Sequence, residues 1–368
     1  MIALFIKAQY EPNKVSFEGQ VSALGSYSPL ADRQAFIGVR YIPELNFDFR
    51  IDTFKRLYIE ASANINLGLS FIPVDSATFS GNVLPYRVWA RYTSRQFELR
   101  MGLQKIDFGS ATLLRPMQWF NQIDPRDPLQ LTNGVNALLG RYYFKNNANL
   151  WFWVLYANEK PRGFDAVKTS KWIPEFGGRA QYPVPRGEMA LSYHRRTANS
   201  HNIAGITPYP YIQEDRVGLD GKWDVVVGLW FEISYIHKYR DVEFLTNQTL
   251  MNLGTDYTFG IGNGLNIMAE HLLIAYDYKP FRFQNLVNVT ALSISYPFTM
   301  DDRLTCITAF SWETKGVSST LYYEHQFKRV TGYIMAYYNP KTQIGIQQNE
   351  LVNTFSGPGV RLMIVYNH

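Results

Sequence analysis

The chain has few of the residues on which disulfides, metal sites and helical membrane anchors depend. Its 368 residues include one cysteine, Cys306, which excludes an intramolecular disulfide and a cysteine-rich metal site. The longest apolar run is 150–157 (LWFWVLYA), far short of the roughly 20 residues that a transmembrane helix needs. The net charge is +5, yet no dense run of lysine or arginine occurs, so nucleic-acid binding has almost no support.

Motifs of known catalytic sites are also missing. The six histidines are scattered and form neither an HExxH motif nor another close metal pair: they are His194, His201, His237, His271, His325 and His368. No GxSxG elbow is present. The sequence therefore predicts no enzyme, no catalytic residue, no metal and no cofactor. A barrel hydrolase whose site is assembled from distant strands stays open as a third alternative, because such sites are recognised by geometry.

Aromatic residues, by contrast, are abundant. They make up 15% of the chain, with 25 Tyr, 24 Phe and 8 Trp, while the mean hydropathy is only −0.20. A helical membrane protein would be more uniformly apolar. This combination is typical of a membrane β-barrel, whose Tyr and Trp collect where lipid meets water.

Residues 57–71 (LYIEASANINLGLSF) show the main pattern of the chain. Every second residue from Ile59 to Phe71 is apolar, and those between them are small or polar. Successive side chains of a strand point to opposite faces, so this segment has one apolar and one polar face. A tilted membrane-spanning strand needs about 9–11 residues, which this segment exceeds.

The same alternation recurs along the chain and closes it. The last apolar row is Val360, Leu362, Ile364 and Tyr366, followed by Asn367 and His368. A final amphipathic strand with an aromatic residue near its end resembles the closing strand of outer-membrane barrels. The fold prediction is therefore an all-β, transmembrane, antiparallel β-barrel.

The number of strands depends on Pro43. The apolar rows on either side of it share one parity, so one strand kinked or bulged at Pro43 accounts for both. This gives about 18 strands, with 16 as the alternative, because a closed barrel of this kind has an even number. Short turns alternate with long connectors, which are predicted at 72–84, 106–134, 159–174, 199–213 and 340–353.

The domain organisation predicted is one barrel over 9–368. Residues 1–8 are either the remnant of a truncated signal peptide or an ordinary apolar N-terminus. The predicted location is the outer membrane of a Gram-negative bacterium, with membrane lipid and lipopolysaccharide as contacts.

The polar parity of the first hundred residues is expected to line the lumen. Its pore-lining candidates are Arg40, Arg50, Arg87, Arg91, Arg100, Glu60 and Glu98. Rings of charge set the selectivity of pores, so one interpretation is a wall that orients a polar solute. The other is a set of paired charges that fill a wet interior without selecting anything. The signs nearly balance, so anion selectivity does not follow.

The segment 106–134 is too long for a hairpin turn, and loops beyond about 12–15 residues are usually functional or disordered. Its many apolar residues favour burial. It is predicted either to fold into the lumen and narrow it or to pack on the rim. In the first case the candidate constriction residues are Arg115, Asp124, Arg126 and Asp127.

The run 100–130 resembles a stretch of alginate-export-type channels. There an R-x-G-x-Q strand precedes an aromatic-Gly turn and an N/D-P-x-D loop. The matching residues here are Arg100, Gly102, Gln104, Phe108, Gly109, Asp124, Pro125 and Asp127. The resemblance covers about thirty residues. It implies an 18-strand-like barrel and a solute channel, although the electropositive lumen of the alginate exporter is not clearly reproduced.

Two functions are predicted beside the hydrolase. The first is a porin-like channel for the passive passage of small polar solutes or oligosaccharides. The second is a non-conducting structural or assembly subunit of an envelope complex, with its long loops binding a partner protein. A homo-oligomer is compatible with either function.

Overall fold

A computed structural model describes residues 13–31, 33–72, 75–201, 203, 205–340 and 357–368. The predicted N-terminal remnant at 1–8 and most of the connector 340–353 lie outside the described residues. Nineteen strands are present in the described part: Lys14–Tyr27 (β1), Ala35–Asp52 (β2), Lys55–Ile72 (β3), Ser76–Thr93 (β4), Phe97–Gln104 (β5), Val135–Tyr143 (β6), Asn149–Leu155 (β7), Lys168–Thr169 (β8), Glu175–Val184 (β9), Gly187–Asn199 (β10), Ile212–Asp224 (β11), Gly228–Lys238 (β12), Asn247–Phe259 (β13), Leu265–Asp277 (β14), Asn285–Pro297 (β15), Asp302–Ser311 (β16), Gly316–Gln326 (β17), Val330–Asn339 (β18) and Gly357–Asn367 (β19).

The strands form one closed antiparallel barrel. Apart from the short β8, each strand pairs with the next strand along the wall, and β1 pairs with β19 from Gln20↔Asn367 to Tyr27↔Val360. The two-residue strand β8 lies in a loop and pairs only with the end of β10, whereas β7 pairs directly with β9. The wall therefore has 18 strands, which confirms the predicted fold class and the preferred strand number.

The two faces of the wall differ as the alternation predicts. The apolar row of β19 points outward, where Val360, Leu362 and Ile364 are more than half exposed. The residues between them point into the barrel, and Met363 and Val365 are buried there. Closure pairs the strands around the barrel, as a bilayer demands, although the stretch from Ser76 to Arg87 of β4 pairs with β3 alone among the described strands.

Pro43 does not interrupt β2. The strand runs on through it, paired with β1 at Gly19↔Pro43. The sequence predicted one strand through Pro43 rather than two, which made the number of strands even. This prediction is confirmed.

The connector predicted at 72–84 is wrong, because Ser76–Thr93 is one strand of 18 residues. The register between β3 and β4 shifts at Tyr86: Ser62 pairs with Arg87 and Ala63 with Pro85. Such a bulge adds one residue and exchanges the two faces beyond it. Phe79 and Val83 point outward before the bulge and Val88 after it, so no single parity marks the strand in the sequence.

The remaining connectors have the predicted asymmetry. Two-residue to four-residue turns such as 185–186 and 225–227 lie at one end of the barrel, together with the start of β1 at Lys14 and the end of β19 at Asn367. The long connectors 105–134, 156–174 and 200–211 lie at the other end. Helix is limited to one turn at Glu243–Leu245, and the described residues contain no helix long and apolar enough to cross a membrane.

Candidate functional site: the barrel interior and its inserted loops

The long loop 105–134 crosses the inside of the barrel. It leaves the wall after Gln104 of β5 and re-enters it at Val135 of β6, which are paired neighbours. Between these points it contacts side chains of β11, β12, β14, β17 and β18. Because those strands lie across the lumen from β5 and β6, these contacts place the loop within the interior.

Glu270 of β14 holds the first part of the loop. Its two carboxylate oxygens accept the backbone N–H groups of Thr112 (2.7 Å), Leu113 (3.1 Å) and Leu114 (2.6 Å). They also accept Trp230 Nε1 and Asn252 Nδ2 from the wall, each at 3.1 Å. A charged acceptor that satisfies three consecutive backbone donors fixes the loop far more firmly than neutral bonds would.

Glu232 of β12 holds the loop at two further points. It accepts the N–H of Ala111 at 2.7 Å and that of Met117 at 3.1 Å. The approach is close at Gly109, whose φ is +104° and whose position for a Cβ lies 2.2 Å from Glu232 Oε1. Only glycine combines this backbone conformation with this contact.

The apolar residues of the loop pack in two groups. Phe108, Met117, Trp119 and Phe120 are buried against Trp153 and its neighbours on β6 and β7. Leu113 and Leu114 are buried among side chains of β12–β16 on the facing wall. Burial of these apolar side chains inside the lumen orders the loop there. This explains why its composition is more apolar than that of a surface loop.

The end of the loop is anchored by an ion pair. The Arg126 guanidinium lies 2.8 Å from Asp124 Oδ2, and both side chains are almost wholly buried. Arg126 also donates to Ser318 Oγ (3.1 Å) and Asn339 Oδ1 (3.2 Å) on β17 and β18. The loop thus spans the lumen from its first attachment on β12 and β14 to this one.

A second inserted loop, 156–174, fills the interior beside β9–β12. Its Asp165 pairs with Arg196 (2.8 Å) and Arg216 (2.6 Å), and its Arg162 pairs with Glu175 (2.6 Å). All five side chains are buried. Gly163 packs on the first loop, because a Cβ there would lie 2.0 Å from the Gln118 carbonyl oxygen. Paired and hydrogen-bonded charges close this half of the barrel.

The described residues fill the opposite half of the interior less completely. Ser192, His194 and Glu214, which point inward from β10 and β11, are each at most 1% exposed. By contrast, Ser80 and Asn82 of β4 point inward in the opposite half and are exposed, although the stretch from Ser76 to Arg87 pairs with β3 alone among the described strands. Other inward residues of this wall, such as Ser22 and Asn46, are buried. Among the described residues, the open side of the interior is therefore the space off the barrel axis between the wall of β1–β4 and the inserted loop.

A cavity of about 330 Å³ occupies this open side. The wall strands β1–β4, β18 and β19 form one boundary, and the tip of the inserted loop at Asp127, Pro128 and Leu129 forms the other. A smaller cavity of about 110 Å³ continues along the same wall and is lined by Asn64, Gln122 and Lys160 among others. Loop and wall together thus narrow the accessible interior.

The predicted pore-lining residues have different surroundings. Arg40 lines the cavity and donates Nε to Asn66 Oδ1 at 2.7 Å. Arg87 is buried and donates to the Thr132 carbonyl at 2.8 Å, so it supports the loop. Arg50 lines a separate cavity near the 52–55 turn. Half-buried Glu60 faces Trp89 of β4 across the strand pair.

The remaining pore-lining candidates lie near the turns, where two of them pair. Arg100 lies 3.1 Å from Glu98 and stacks over Trp89. Arg91 instead lies over the rings of Tyr58 and Trp89.

The four candidate constriction residues of the loop also have different surroundings. Asp127 alone lines the cavity, and its Oδ1 accepts the Leu129 N–H at 3.0 Å. Asp124 and Arg126 form the buried anchor, and Arg115 pairs with Asp107 within the loop at 2.6 Å. Burial raises the pKa of Asp127, which the Leu129 N–H and the Arg40 guanidinium offset only in part.

Several functional residues were not identified from the sequence. They are Glu232, Glu270 and Arg361. Glu232 lies on the polar parity of β12, which is a signal that the sequence offers, but Glu270 shares its row in β14 with the apolar Leu272 and Ile274. Their roles depend on where the loop crosses the lumen, and no local pattern carries that information. Within the described residues, no group of three or more His, Cys, Asp or Glu side chains could hold a metal ion.

Solved structures of outer-membrane porins superpose on this chain with TM-scores just above 0.5. OmpF of Salmonella typhi, in complex with daunomycin, superposes with a TM-score of 0.52 at 9% identity, covering 97% of this chain and 98% of that one. The chain has a porin fold. The anion-selective porin from Comamonas acidovorans gives 0.51 at 10% identity (97% and 100% covered), and OccAB4 of Acinetobacter baumannii gives 0.53 at 10% (98% and 99%).

Sequence comparison adds no closer relative. No protein-family model matches the chain, and no curated protein matches it. The resemblance of 100–130 to alginate-export-type channels is not shown by any of these comparisons and stays a prediction.

Proposed function

We propose that this protein is a porin-like channel in the outer membrane of a Gram-negative bacterium, through which small polar solutes diffuse passively. The observation that carries the proposal is the inserted loop, which crosses the lumen and, among the described residues, leaves a cavity between itself and the wall of β1–β4. A barrel whose interior is narrowed but not filled has the architecture of a selective diffusion pore.

The outer face of the barrel wall supports the proposed location in the outer membrane. Its outward face carries exposed apolar side chains on strand after strand, for example Val39, Leu67 and Leu99. Such a face contacts membrane lipid, which in the outer leaflet of this membrane includes lipopolysaccharide. A homo-oligomer is part of the same proposal, and chemical cross-linking in native membrane measures it.

The first test is deletion of 112–130, the part of the loop between its attachments, with the cut ends joined by a short Gly-Ser linker. Single-channel conductance of the refolded protein in a planar bilayer is expected to rise at least twofold, because the pore widens where the loop is removed. Unchanged conductance would contradict a constriction by the loop. A matched control replaces residues of the turn 225–227, which lies outside the lumen, and leaves conductance unchanged.

A second function keeps the support of one observation. Half of the lumen is closed by two loops and buried ion pairs, as expected for a non-conducting structural subunit of an envelope complex. A well-folded barrel without discrete conductance steps would favour this function, and recovery of the same envelope protein with it from native membrane would establish it.

A further inference from the structure

The cavity on the open side has two chemically distinct walls. One is apolar and consists of Leu24, Phe36, Leu129, Met335 and Met363. The other carries Arg40, Arg361, Asp127 and the amides of Asn66 and Asn82. A passage that only conducts water and ions has no need of an apolar wall, because apolar surface in a narrow lumen repels water.

The apolar wall is built from the loop as well as from the barrel. Leu129, at the tip of the inserted loop, packs with Leu24 of β1 against a cluster that includes Met335 and Met363. Phe36 lies across Gly38 and Gly68, where a Cβ would come within 2.7 Å and 2.9 Å of its ring. Methionine and phenylalanine side chains adapt to apolar ligands of varied shape.

The charged wall is net positive. The charged residues that line the cavity are Arg40, Arg361 and Asp127, which gives two positive charges against one negative charge. Lys160 adds a further positive charge in the adjoining cavity. The bond to Asn66 uses one of the five N–H donors of Arg40, so the planar guanidinium keeps donors for a carboxylate.

We propose that this cavity is a binding site for small organic anions that carry an apolar body. The anionic group lies against Arg40 and Arg361, and the apolar body packs on Leu24, Leu129, Met335 and Met363. The volume of about 330 Å³ is at the lower end of the range of about 300–1,000 Å³ for ligand pockets, which suits a body of roughly six carbon atoms. This inference rests on the proposed channel and names its substrate class.

The test is titration calorimetry of the refolded, detergent-solubilised full chain with four probes. Hexanoate carries both charge and apolar body, acetate carries the charge alone, 1-hexanol carries the body alone, and hexylammonium reverses the charge. Hexanoate is expected to bind at least tenfold more tightly than each of the other three. Equal binding of hexanoate and 1-hexanol, or of hexanoate and acetate, would overturn the proposal.

Substitutions then locate the site. Arg40→Gln and Met363→Thr are each expected to weaken hexanoate binding about tenfold, a change of about 1.4 kcal/mol. Arg329→Gln removes the same charge from an exposed turn outside the cavity and is expected to leave binding unchanged. Equal losses in Arg40→Gln and Arg329→Gln would assign the effect to net charge and overturn the site.

The same protein in a planar bilayer separates the two proposals. If hexanoate transiently blocks the ionic current and the block weakens in Arg40→Gln, both are supported. Conductance without any block or binding overturns the binding site and leaves the channel. Binding without conductance overturns the channel and leaves the site.

Discussion

At the scale of single residues, the interior depends on a few carboxylates that hold the loop. Glu270 satisfies five donors, which would lose this acceptor if the side chain were removed. The N–H groups of the buried Leu113 and Leu114 would then lack this partner, each at a cost of about 1–3 kcal/mol. Glu270 therefore determines where the loop lies.

Glu270→Gln is expected to lower the free energy of unfolding by about 2–4 kcal/mol, since the amide offers one acceptor oxygen in place of two and turns its NH₂ group toward donors. Urea unfolding followed by tryptophan fluorescence measures the loss. Current noise in the open channel is expected to increase as the loop loosens. Glu188→Gln, at an exposed turn position, is the matched control, and an equal loss there would contradict the anchoring role.

Asp127 gives the cavity a pH dependence. Burial raises its pKa above the ordinary value for aspartate, so acidification neutralises it at a higher pH than an exposed aspartate. Loss of this negative charge makes the cavity more positive. Anion preference, measured as the reversal potential in a salt gradient, is therefore expected to increase as the pH falls from 7 toward 4, and Asp127→Asn to show the increase already at pH 7. A pH response that is the same in Asp127→Asn would contradict this assignment.

At the scale of elements, the loop depends on how it leaves the wall. Gly109 has a φ of +104° and lies against Glu232, directly before the first attachment. From the sequence, the aromatic-Gly turn at Phe108 and Gly109 was noted only through the resemblance to alginate-export-type channels. In the structure, glycine is needed there because the backbone comes close to the Glu232 carboxylate.

Gly109→Ala is expected to displace Glu232 or the loop, because the added Cβ would overlap Glu232 Oε1. The positive φ costs a further amount of about 1 kcal/mol for alanine. Thermal unfolding followed by circular dichroism is expected to show a lower midpoint. Gly205→Ala is the matched control, since Gly205 also has a positive φ (+81°) but has open space around it. Similar losses in both variants would show that backbone strain alone, rather than the contact with Glu232, is responsible.

At the scale of the whole molecule, the described residues fill one half of the barrel more completely than the other. The two inserted loops attach mainly to β9–β14, and a cavity separates the wall of β1–β4 from the tip of the first loop. Accessibility to water inside the barrel is thus expected to differ between strands that have equal polar character.

Cysteine labelling tests this asymmetry. In membranes, Asn82→Cys on β4 is expected to react rapidly with a water-soluble maleimide, and Ser192→Cys, buried on β10, to react at least tenfold more slowly. The native Cys306 lies opposite the outward Leu321 on the lipid-facing side of the wall. Its own reaction with the maleimide is therefore expected to be slow, and the unsubstituted chain measures it. Equal labelling of both positions would contradict an off-axis lumen.

The sequence by itself determined the barrel. Alternation of apolar and polar residues is a local property, so the faces of β3 and β19 and the passage of β2 through Pro43 were predicted from residues a few positions apart. The composition of 106–134 likewise indicated a segment that needs burial. The exception is the first part of β4, residues 76–84, which was predicted as a connector because a bulge at Tyr86 exchanges the two faces of the strand.

Only the tertiary structure decided what the interior contains. Arg40 and Arg87 share the polar parity in the sequence, yet one lines the cavity and the other supports the loop. Asp124 and Asp127 lie three residues apart, and one is in a buried ion pair while the other faces open space. The physical reason is that a residue's role depends on which strand or loop lies next to it inside the lumen. Such neighbours are distant in the sequence, so the local sequence pattern does not reveal them.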